Sequence, residues 1–149
     1  MTESNLQLVM TRVFEAPRDL VFRAWIDPEL EKRWSAPLGV TVPVCEADPR
    51  PGGAWRLCMR TPVGEETWAG GVYRQVRPPE RLVATHAWVN PDGTPGRETV
   101  ITVTLAERGC RTEMTFRQAG FDSAEAREGH GEGWAECFDK LERVLATGG

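Results

Sequence analysis

The sequence predicts an α+β fold, in which an antiparallel β-sheet of about six or seven strands is covered by one long C-terminal helix. Segments with alternating apolar and polar residues follow one another between residues 6 and 119, and mostly short, turn-rich connections separate them. Such connections favour antiparallel neighbours, because parallel strands need long crossovers. After Ser123 the apolar period changes to that of a helix. This helix is long and apolar enough to cover the buried face of the sheet.

The first third of the chain is predicted to contain one strand and two short helices. Alternation over residues 6–14 indicates the strand. Pro17 suits the first position of the first helix, and Asp27-Pro28 suits the N-cap and first residue of the second. The second helix would carry Leu30 and Trp34, four residues apart, on one face.

Six further strands are predicted between residues 40 and 119. They lie at residues 40–44, 54–60, 67–76, 81–88, 100–105 and 113–119. The tight connection of residues 107–110 between the last two strands indicates a hairpin. Gly70 and Gly71, in mid-strand, indicate a bulge or a sharp bend of the sheet.

The last segment, from Ser123 to about Ala146, is predicted to be a helix with Ser123 as its N-cap. At 100° per residue, one arc of this helix collects its apolar and small residues, and acidic residues lie opposite. The arc comprises Ala126, His130, Gly133, Trp134, Cys137, Phe138, Leu141, Val144 and Leu145. The first turns contain Gly129, Gly131 and Gly133, although a glycine inside a helix costs about 1 kcal/mol relative to alanine.

The composition is that of an ordinary globular protein. The 149 residues predict one domain over residues 1–149, with a core that needs neither metal nor disulfide. The net charge of −4, with both signs intermixed, argues against nucleic acid as a partner. No apolar run approaches the roughly 18 residues that span a bilayer. Since the N-terminus also lacks the pattern of a signal peptide, we expect no membrane insertion and a cytoplasmic location.

The residue types that usually carry catalysis or bind metals form no recognisable motif. The four cysteines, Cys45, Cys58, Cys110 and Cys137, are far apart and are interpreted as buried small hydrophobic residues or free thiols. No GxSxG, HExxH, Walker or strand-linked GxGxxG motif occurs. The sequence therefore predicts no catalytic residue, metal site or cofactor.

Several short motifs occur together along the chain. They are Ala16-Pro17 with Val21-Phe22, Asp27-Pro28 with Trp34 and Pro37, residues 78–82 (PPERL), and Gly133-Trp134. In combination they resemble the bacterial relatives of the heat-shock-chaperone ATPase activator, in the SRPBCC or START-like (Bet v 1-like) superfamily. The resemblance covers essentially the whole chain. It implies a helix-grip fold, in which a strongly bent antiparallel sheet holds the long C-terminal helix and leaves a cavity between them.

A cavity under the start of the last helix would explain its glycines, because small residues there enlarge the cavity and let the first turns move. We therefore hypothesise that the N-terminal part of this helix is a gate, with Trp134 and Phe138 forming a wall of the pocket. The alternative is that residues 120–131 form a loop and the helix begins near Glu132. Neither interpretation is decided by the sequence.

Small-molecule pockets are mostly apolar and contain a few well-placed polar groups. The residues predicted to line this pocket are Trp55, Leu57, Met59, Trp68, Val72, His86, Trp88, Trp134 and Phe138. The simpler interpretation of each tryptophan is that it fills the core. The simpler interpretation of His86 is that it is a hydrogen-bonded core residue. His130, between two glycines, is interpreted as a solvated loop residue.

Three functions are compatible with these observations. The preferred one is binding of a small hydrophobic or aromatic molecule in the cavity. The second is an enzyme of the polyketide cyclase type, in which His86 or a buried polar group polarises a carbonyl. The third, implied by the family resemblance, is a stress-response partner that stimulates a chaperone ATPase. A homodimer formed through exposed sheet edges also stays open.

Overall fold

The computed structural model describes residues 6–148, which form seven strands and three helices. In chain order these are β1 (Gln7–Phe14), α1 (Arg18–Ile26), α2 (Pro28–Glu31), β2 (Thr41–Ala47), β3 (Ala54–Arg60), β4 (Glu66–Arg77), β5 (Arg81–Trp88), β6 (Thr99–Arg108), β7 (Arg111–Ala119) and α3 (Ala124–Ala146). The strands form one antiparallel sheet in the order β1-β7-β6-β5-β4-β3-β2. The predicted α+β class and helix-grip architecture are confirmed.

The order of the strands follows from their short connections, with one exception. Each strand from β2 to β7 pairs with its successor, as a meander requires. β1 instead pairs with β7, in a register that runs from Gln7 opposite Ala119 to Phe14 opposite Thr112. The two helices that follow β1 therefore carry the chain from one edge of the curved sheet to the other, where β2 begins.

The short helices differ slightly from the prediction at their ends. Pro17 stands just before α1 and is not its first residue, whereas Asp27 caps α2 as predicted, its Oδ1 accepting from the backbone N–H of Glu29 at 3.0 Å. α2 ends at Glu31, so Trp34 lies in the turn that follows and not on the helix. Trp34 is nevertheless fully buried, and its Nε1 donates to the carbonyl oxygen of Ala24 at 3.0 Å. This hydrogen bond joins the turn to α1.

α3 begins at Ala124, with the Oγ of Ser123 accepting from the backbone N–H of Ala126 at 3.0 Å. The N-cap prediction is confirmed, and the alternative of a loop over residues 120–131 is wrong. The buried residues of α3 all belong to its second half, from Cys137 to Leu145. There the helix packs on the core of the sheet, whereas its first half leaves the space in which the candidate site lies.

The predicted bulge in β4 is found a few residues beyond the glycines. The register between β4 and β5 shifts between Tyr73 and Gln75. Gly71 serves a different purpose, because a Cβ at this position would collide with the carbonyl oxygen of Thr85 on β5. Only glycine allows the two backbones to approach this closely.

All four cysteines within the described residues are free thiols, of which Cys58 and Cys137 are buried. None of the helices within residues 6–148 combines the length and the apolar character that crossing a bilayer requires.

Candidate ligand-binding cavity

A cavity of about 200 Å³ lies between the first half of α3 and the sheet. Strands β3 to β6 form one side of it, and the turns that link α1, α2 and β2 close one end. Five of the six tryptophans contribute to its walls, so the lining is rich in aromatic residues. An apolar hollow of this kind is the usual form of a small-molecule site.

Six of the nine residues that the sequence analysis proposed do line this cavity. They are Trp55, Leu57, Met59, His86, Trp88 and Trp134. The three from β3 share one face because side chains alternate along a strand, and His86 and Trp88 share a face of β5 for the same reason. Their role as ligand contacts stays a prediction.

The other three residues lie elsewhere. Trp68 and Val72 are on the opposite face of β4, where the guanidinium of Arg56 covers the Trp68 ring at 4.8 Å and Val72 is 41% exposed. Ala69 and Tyr73 face the cavity instead, which is the alternation expected of a strand once its phase is known. Phe138 is a core residue whose ring packs against Phe116, with ring centroids 5.4 Å apart.

Several residues of the cavity wall on or near α1, α2 and α3 were not predicted from the sequence. Trp25, Glu31 and Ser35 come from α1, α2 and the turn after α2, and no local pattern distinguishes them from ordinary core or surface residues. His130 was interpreted as a solvated loop residue, and this is wrong. It lies on α3 and in the cavity wall. The helical arc, which placed His130 on the same side as Trp134, was the signal that could have found it.

Two histidines and two tryptophans meet on the cavity wall formed by β3, β5 and α3. The Nε1 of Trp88 donates to the Nε2 of His130 at 3.1 Å, so this nitrogen of His130 carries no proton. The ring of His86 lies 5.1 Å from Trp88, 5.7 Å from His130 and 5.7 Å from Trp55, centroid to centroid. Burial, and then the neighbouring His130, lowers the pKa of His86 to about 4. Burial also lowers the pKa of His130. Both imidazoles are therefore neutral near pH 7.

The indole of Trp55 extends across the sheet. It starts on β3, its partner residue on β4 is Gly71, and its Nε1 donates to the carbonyl oxygen of Thr85 on β5 at 3.0 Å. A side chain on β3 can reach β5 only by crossing the intervening strand, and at Gly71 no side chain stands in its way. This hydrogen bond holds a large aromatic surface in place on the cavity wall.

Trp134 is oriented by a buried hydrogen-bond chain. Its Nε1 donates to the Oε1 of Gln118 at 2.9 Å, and the Nε2 of Gln118 donates to the Oγ1 of Thr99 at 2.9 Å. Thr99 in turn donates to the carbonyl oxygen of His86 at 3.3 Å. Gln118 is fully buried, and losing this side chain would leave the indole N–H of Trp134 without an acceptor, while the Thr99 hydroxyl would keep only its bond to His86. The chain links α3 to β7, β6 and β5.

The end of the cavity near α2 has a different character. Glu31 lines it, and its Oε1 accepts from the Sγ of Cys45 at 3.6 Å. Burial raises the pKa of Glu31 to about 8. The hydrogen bond from Cys45 acts to lower this pKa, and the negative charge of Asp27 acts to raise it. Near neutral pH the carboxyl group is mainly protonated and can donate a hydrogen bond.

Two of the three glycines near the start of α3 lie in the cavity wall. A Cβ at Gly129 would meet nothing within 4 Å, and one at Gly133 would make an ordinary contact with Pro37 at 3.7 Å. Gly131 lies outside the wall, and a Cβ there would approach the Cδ1 of Leu8 to 3.2 Å. Both residues line the cavity, and neither would bring an added Cβ into a close contact. Whether these turns move as a gate stays a prediction.

Within residues 6–148, no group of three His, Cys, Asp or Glu side chains is arranged to hold a metal ion.

The family model described as Activator of Hsp90 ATPase homolog 1-like protein matches residues 15–146. The chain belongs to this family. Among solved structures, a Chromobacterium violaceum protein is 28% identical, with 93% of this chain and 95% of that chain covered and a TM-score of 0.85. A Nitrosomonas europaea protein is 25% identical over 98% and 97% of the two chains, with a TM-score of 0.82.

A third solved structure, the AHSA1 protein of Silicibacter pomeroyi, extends the agreement in fold. It is 24% identical over 97% of this chain and 100% of that one, with a TM-score of 0.88. No curated protein matches the chain. These three solved structures therefore share this architecture over nearly their whole length, while the chemistry of the cavity must be argued from this chain's own residues.

Proposed function

We propose that this member of the Activator of Hsp90 ATPase homolog 1-like family binds a small hydrophobic or aromatic molecule in the cavity between α3 and the sheet. The observation that carries the proposal is an apolar space of about 200 Å³ whose walls include five tryptophans. A dry engineered cavity of about 150 Å³ already binds benzene, so this one has room for one or two rings.

Three features support binding in preference to incidental loose packing. The indoles of Trp55 and Trp134 are held by hydrogen bonds outside the cavity, so their surfaces are preorganised. Glycines at 129 and 133 keep the helix side open at a cost in helix stability. Both imidazoles at the wall are neutral near pH 7, so an apolar ligand need not lie against a charge.

Titration with indane, an uncharged bicyclic hydrocarbon, tests the proposal. We expect the melting temperature to rise with indane concentration, as mass action requires when a ligand binds only the folded state. Ala84→Leu places a larger side chain in the cavity wall on β5 and should abolish the shift. Ala87→Leu is the matched control, because it makes the same change three residues along β5 at a position outside the wall. Equal indane binding by both variants would refute the location, and no binding by the wild type would refute the function.

The description of the matching family raises a second candidate, stimulation of a chaperone ATPase. It is tested by measuring ATP hydrolysis by purified Hsp90 with and without this protein. Acceleration that survives Ala84→Leu would assign this activity to a surface other than the cavity.

A further inference from the structure

The first half of α3, residues 124–133, lies over the cavity but is weakly attached to the rest of the protein. The buried residues of α3 begin at Cys137, and the hydrophobic core that joins helix and sheet includes no side chain from residues 124–133. Gly129 and Gly131 weaken this part of the helix further. Segments with few buried apolar contacts open locally at a lower free energy than the whole protein unfolds. Residues 124–133 are therefore the part of α3 that can lift from the sheet at the lowest cost.

One side-chain hydrogen bond joins this segment to the sheet. The Nε1 of Trp88 on β5 donates to the Nε2 of His130 at 3.1 Å. Among the side-chain hydrogen bonds of the described residues, no other connects residues 124–133 to a strand. The next such bond along the helix, from Trp134 to Gln118 on β7, lies just beyond the segment. The Trp88–His130 bond is thus placed to hold these turns against β5.

This hydrogen bond depends on the protonation state of His130. An indole N–H can only donate, so the Nε2 of His130 provides a lone pair and the ring proton is on Nδ1. A second proton can add only to Nε2, the atom that accepts from Trp88. Protonated His130 would turn an N–H toward the indole N–H, and the bond would be lost. Protonation of His130 and its hydrogen bond to Trp88 therefore exclude each other.

The surroundings of His130 do not stabilise a positive charge on its ring. Three rings lie against it, with centroids 5.9, 5.7 and 5.0 Å away, and they belong to Trp88, His86 and Phe121. His86 is the titratable group that faces it from the sheet, and a histidine offers no negative charge. On its own helix the charged residue one turn earlier is Arg127, which is also basic and pairs with Glu128 at 4.0 Å. Protonated His130 is thus better placed in water than against β5.

We propose that residues 124–133 are a gate over the cavity, which the hydrogen bond from Trp88 to His130 holds closed and which protonation of His130 opens. This inference rests on the proposed function in one respect, because it assigns to the gate the entry and exit of the same ligand. Mild acidification then speeds the release of a bound molecule.

The direction of the pH effect follows from the two states of the gate. Burial lowers the pKa of His130 below its ordinary value of 6.5 while the gate is closed. In the open gate the ring meets water and its pKa returns toward that value. Protons therefore bind the open form more strongly, and opening is favoured as the pH falls below 6.5. Between pH 7.5 and pH 5.5 the open fraction should rise by about three- to tenfold.

Amide hydrogen exchange of the protein without ligand tests the opening. The amides of residues 128–133 should lose protection by that factor between pH 7.5 and pH 5.5, after correction for the intrinsic pH dependence of exchange. They must also exchange faster than the amides of residues 138–145 at both pH values, so that local opening is measured and not global unfolding. Equal protection of residues 128–133 at the two pH values would overturn the inference.

Two matched histidine variants identify the group responsible. His130→Gln keeps an oxygen that can accept from Trp88 but does not titrate, so the change in gate protection should fall below about twofold. His86→Gln makes the same substitution on β5 and should leave the change in place, because His86 keeps its neighbours Trp55 and Trp88 when the gate opens. A response that survives His130→Gln, or that only His86→Gln removes, would overturn the inference.

A measurement on the wild-type protein guards against a variant that fails to fold. The indole N–H of Trp88, assigned from its loss in Trp88→Phe, should lose protection against exchange by the same factor as the amides of residues 128–133. An indole N–H that stays protected while these amides exchange would overturn the inference, because the gate would then open without breaking the bond.

The release of indane connects the gate to the proposed function. Its dissociation rate, measured by NMR exchange, should rise by about three- to tenfold from pH 7.5 to pH 5.5 in the wild type and stay nearly constant in His130→Gln. If indane does not bind, the proposed function fails, while hydrogen exchange still decides whether the gate opens. If indane binds but leaves at the same rate at both pH values, the proposed function stands and the inference is overturned.

Discussion

Replacing Gly129 with alanine should stabilise the protein and at the same time weaken the binding of indane. The residue lies inside α3, and an added Cβ would meet nothing within 4 Å. The steric cost is therefore absent, and the intrinsic preference of alanine for helix contributes about 1 kcal/mol. For a chain of this size that gain corresponds to about 2–4 °C in melting temperature.

The opposite effect on binding has the same structural origin. Gly129 lines the cavity, so we expect the new methyl group to occupy room that the ligand would use. Forcing an additional methyl into a packed contact costs on the order of 1–3 kcal/mol. Indane affinity should then fall by at least about fivefold.

Gly131→Ala is the control on the same helix. It makes the same gain in helix preference, but its Cβ would lie 3.2 Å from the Cδ1 of Leu8, which must move aside. Gly131 is not part of the cavity wall. We expect a smaller gain in stability and unchanged indane affinity.

Urea unfolding and indane titration of both variants provide the measurement. If Gly129→Ala lowers the free energy of unfolding, the space beside residue 129 is not open in the folded protein. If stability rises but indane affinity does not change, that space is not where the ligand binds. Either result would mean that the glycines of α3 do not serve to keep room for a ligand.

Three further results are expected. Burial lowers the pKa of His86 in the folded protein from 6.5 to about 4, so between these pH values the unfolded chain binds a proton that the folded protein does not. The free energy of unfolding should therefore fall from pH 6.5 to pH 4, by up to about 1.4 kcal/mol per pH unit. His86→Gln should flatten this part of a urea-unfolding pH profile. Gln118→Met should cost about 1–3 kcal/mol in urea unfolding, since it leaves the indole N–H of Trp134 without an acceptor and removes a donor to the Thr99 hydroxyl; an unchanged midpoint would mean that the hydrogen-bond chain adds nothing. If the start of α3 is a gate, amide hydrogens of residues 129–134 should exchange faster than those of residues 138–145, and equal protection would exclude it.

Much of the fold could be predicted because its signals are local. Alternation located every strand, and prolines and glycines marked the turns between them. Asp27 and Ser123 act as the predicted N-caps because a cap depends on hydrogen bonds to residues only two or three positions away. The end of α2 was misplaced, since Trp34 is buried by contact with α1 and not by continuing the helix.

The cavity was harder to predict because it depends on which face of each strand turns inward. On β3 and β5, apolar and aromatic residues at alternate positions indicated the face that turns toward the cavity. On β4 both faces carry an aromatic residue, and Trp68 suggested the wrong one. The inner face belongs to Ala69 and Tyr73 because their neighbours on β3 and β5 require it, and periodicity within one strand carries no such information.

The sequence by itself determined the class of fold, the order of its elements and the presence of a glycine-rich start to the last helix, because period, turn chemistry and capping act over a few residues. The tertiary structure alone decided that Trp88 donates to His130 and that Trp25, Glu31 and Ser35 line the cavity. The Trp88–His130 pair comes from residues 42 positions apart. Such pairs form only when the curved sheet brings its strands around α3, and the resulting burial, which no local pattern encodes, gives Glu31 and His86 their opposite pKa shifts.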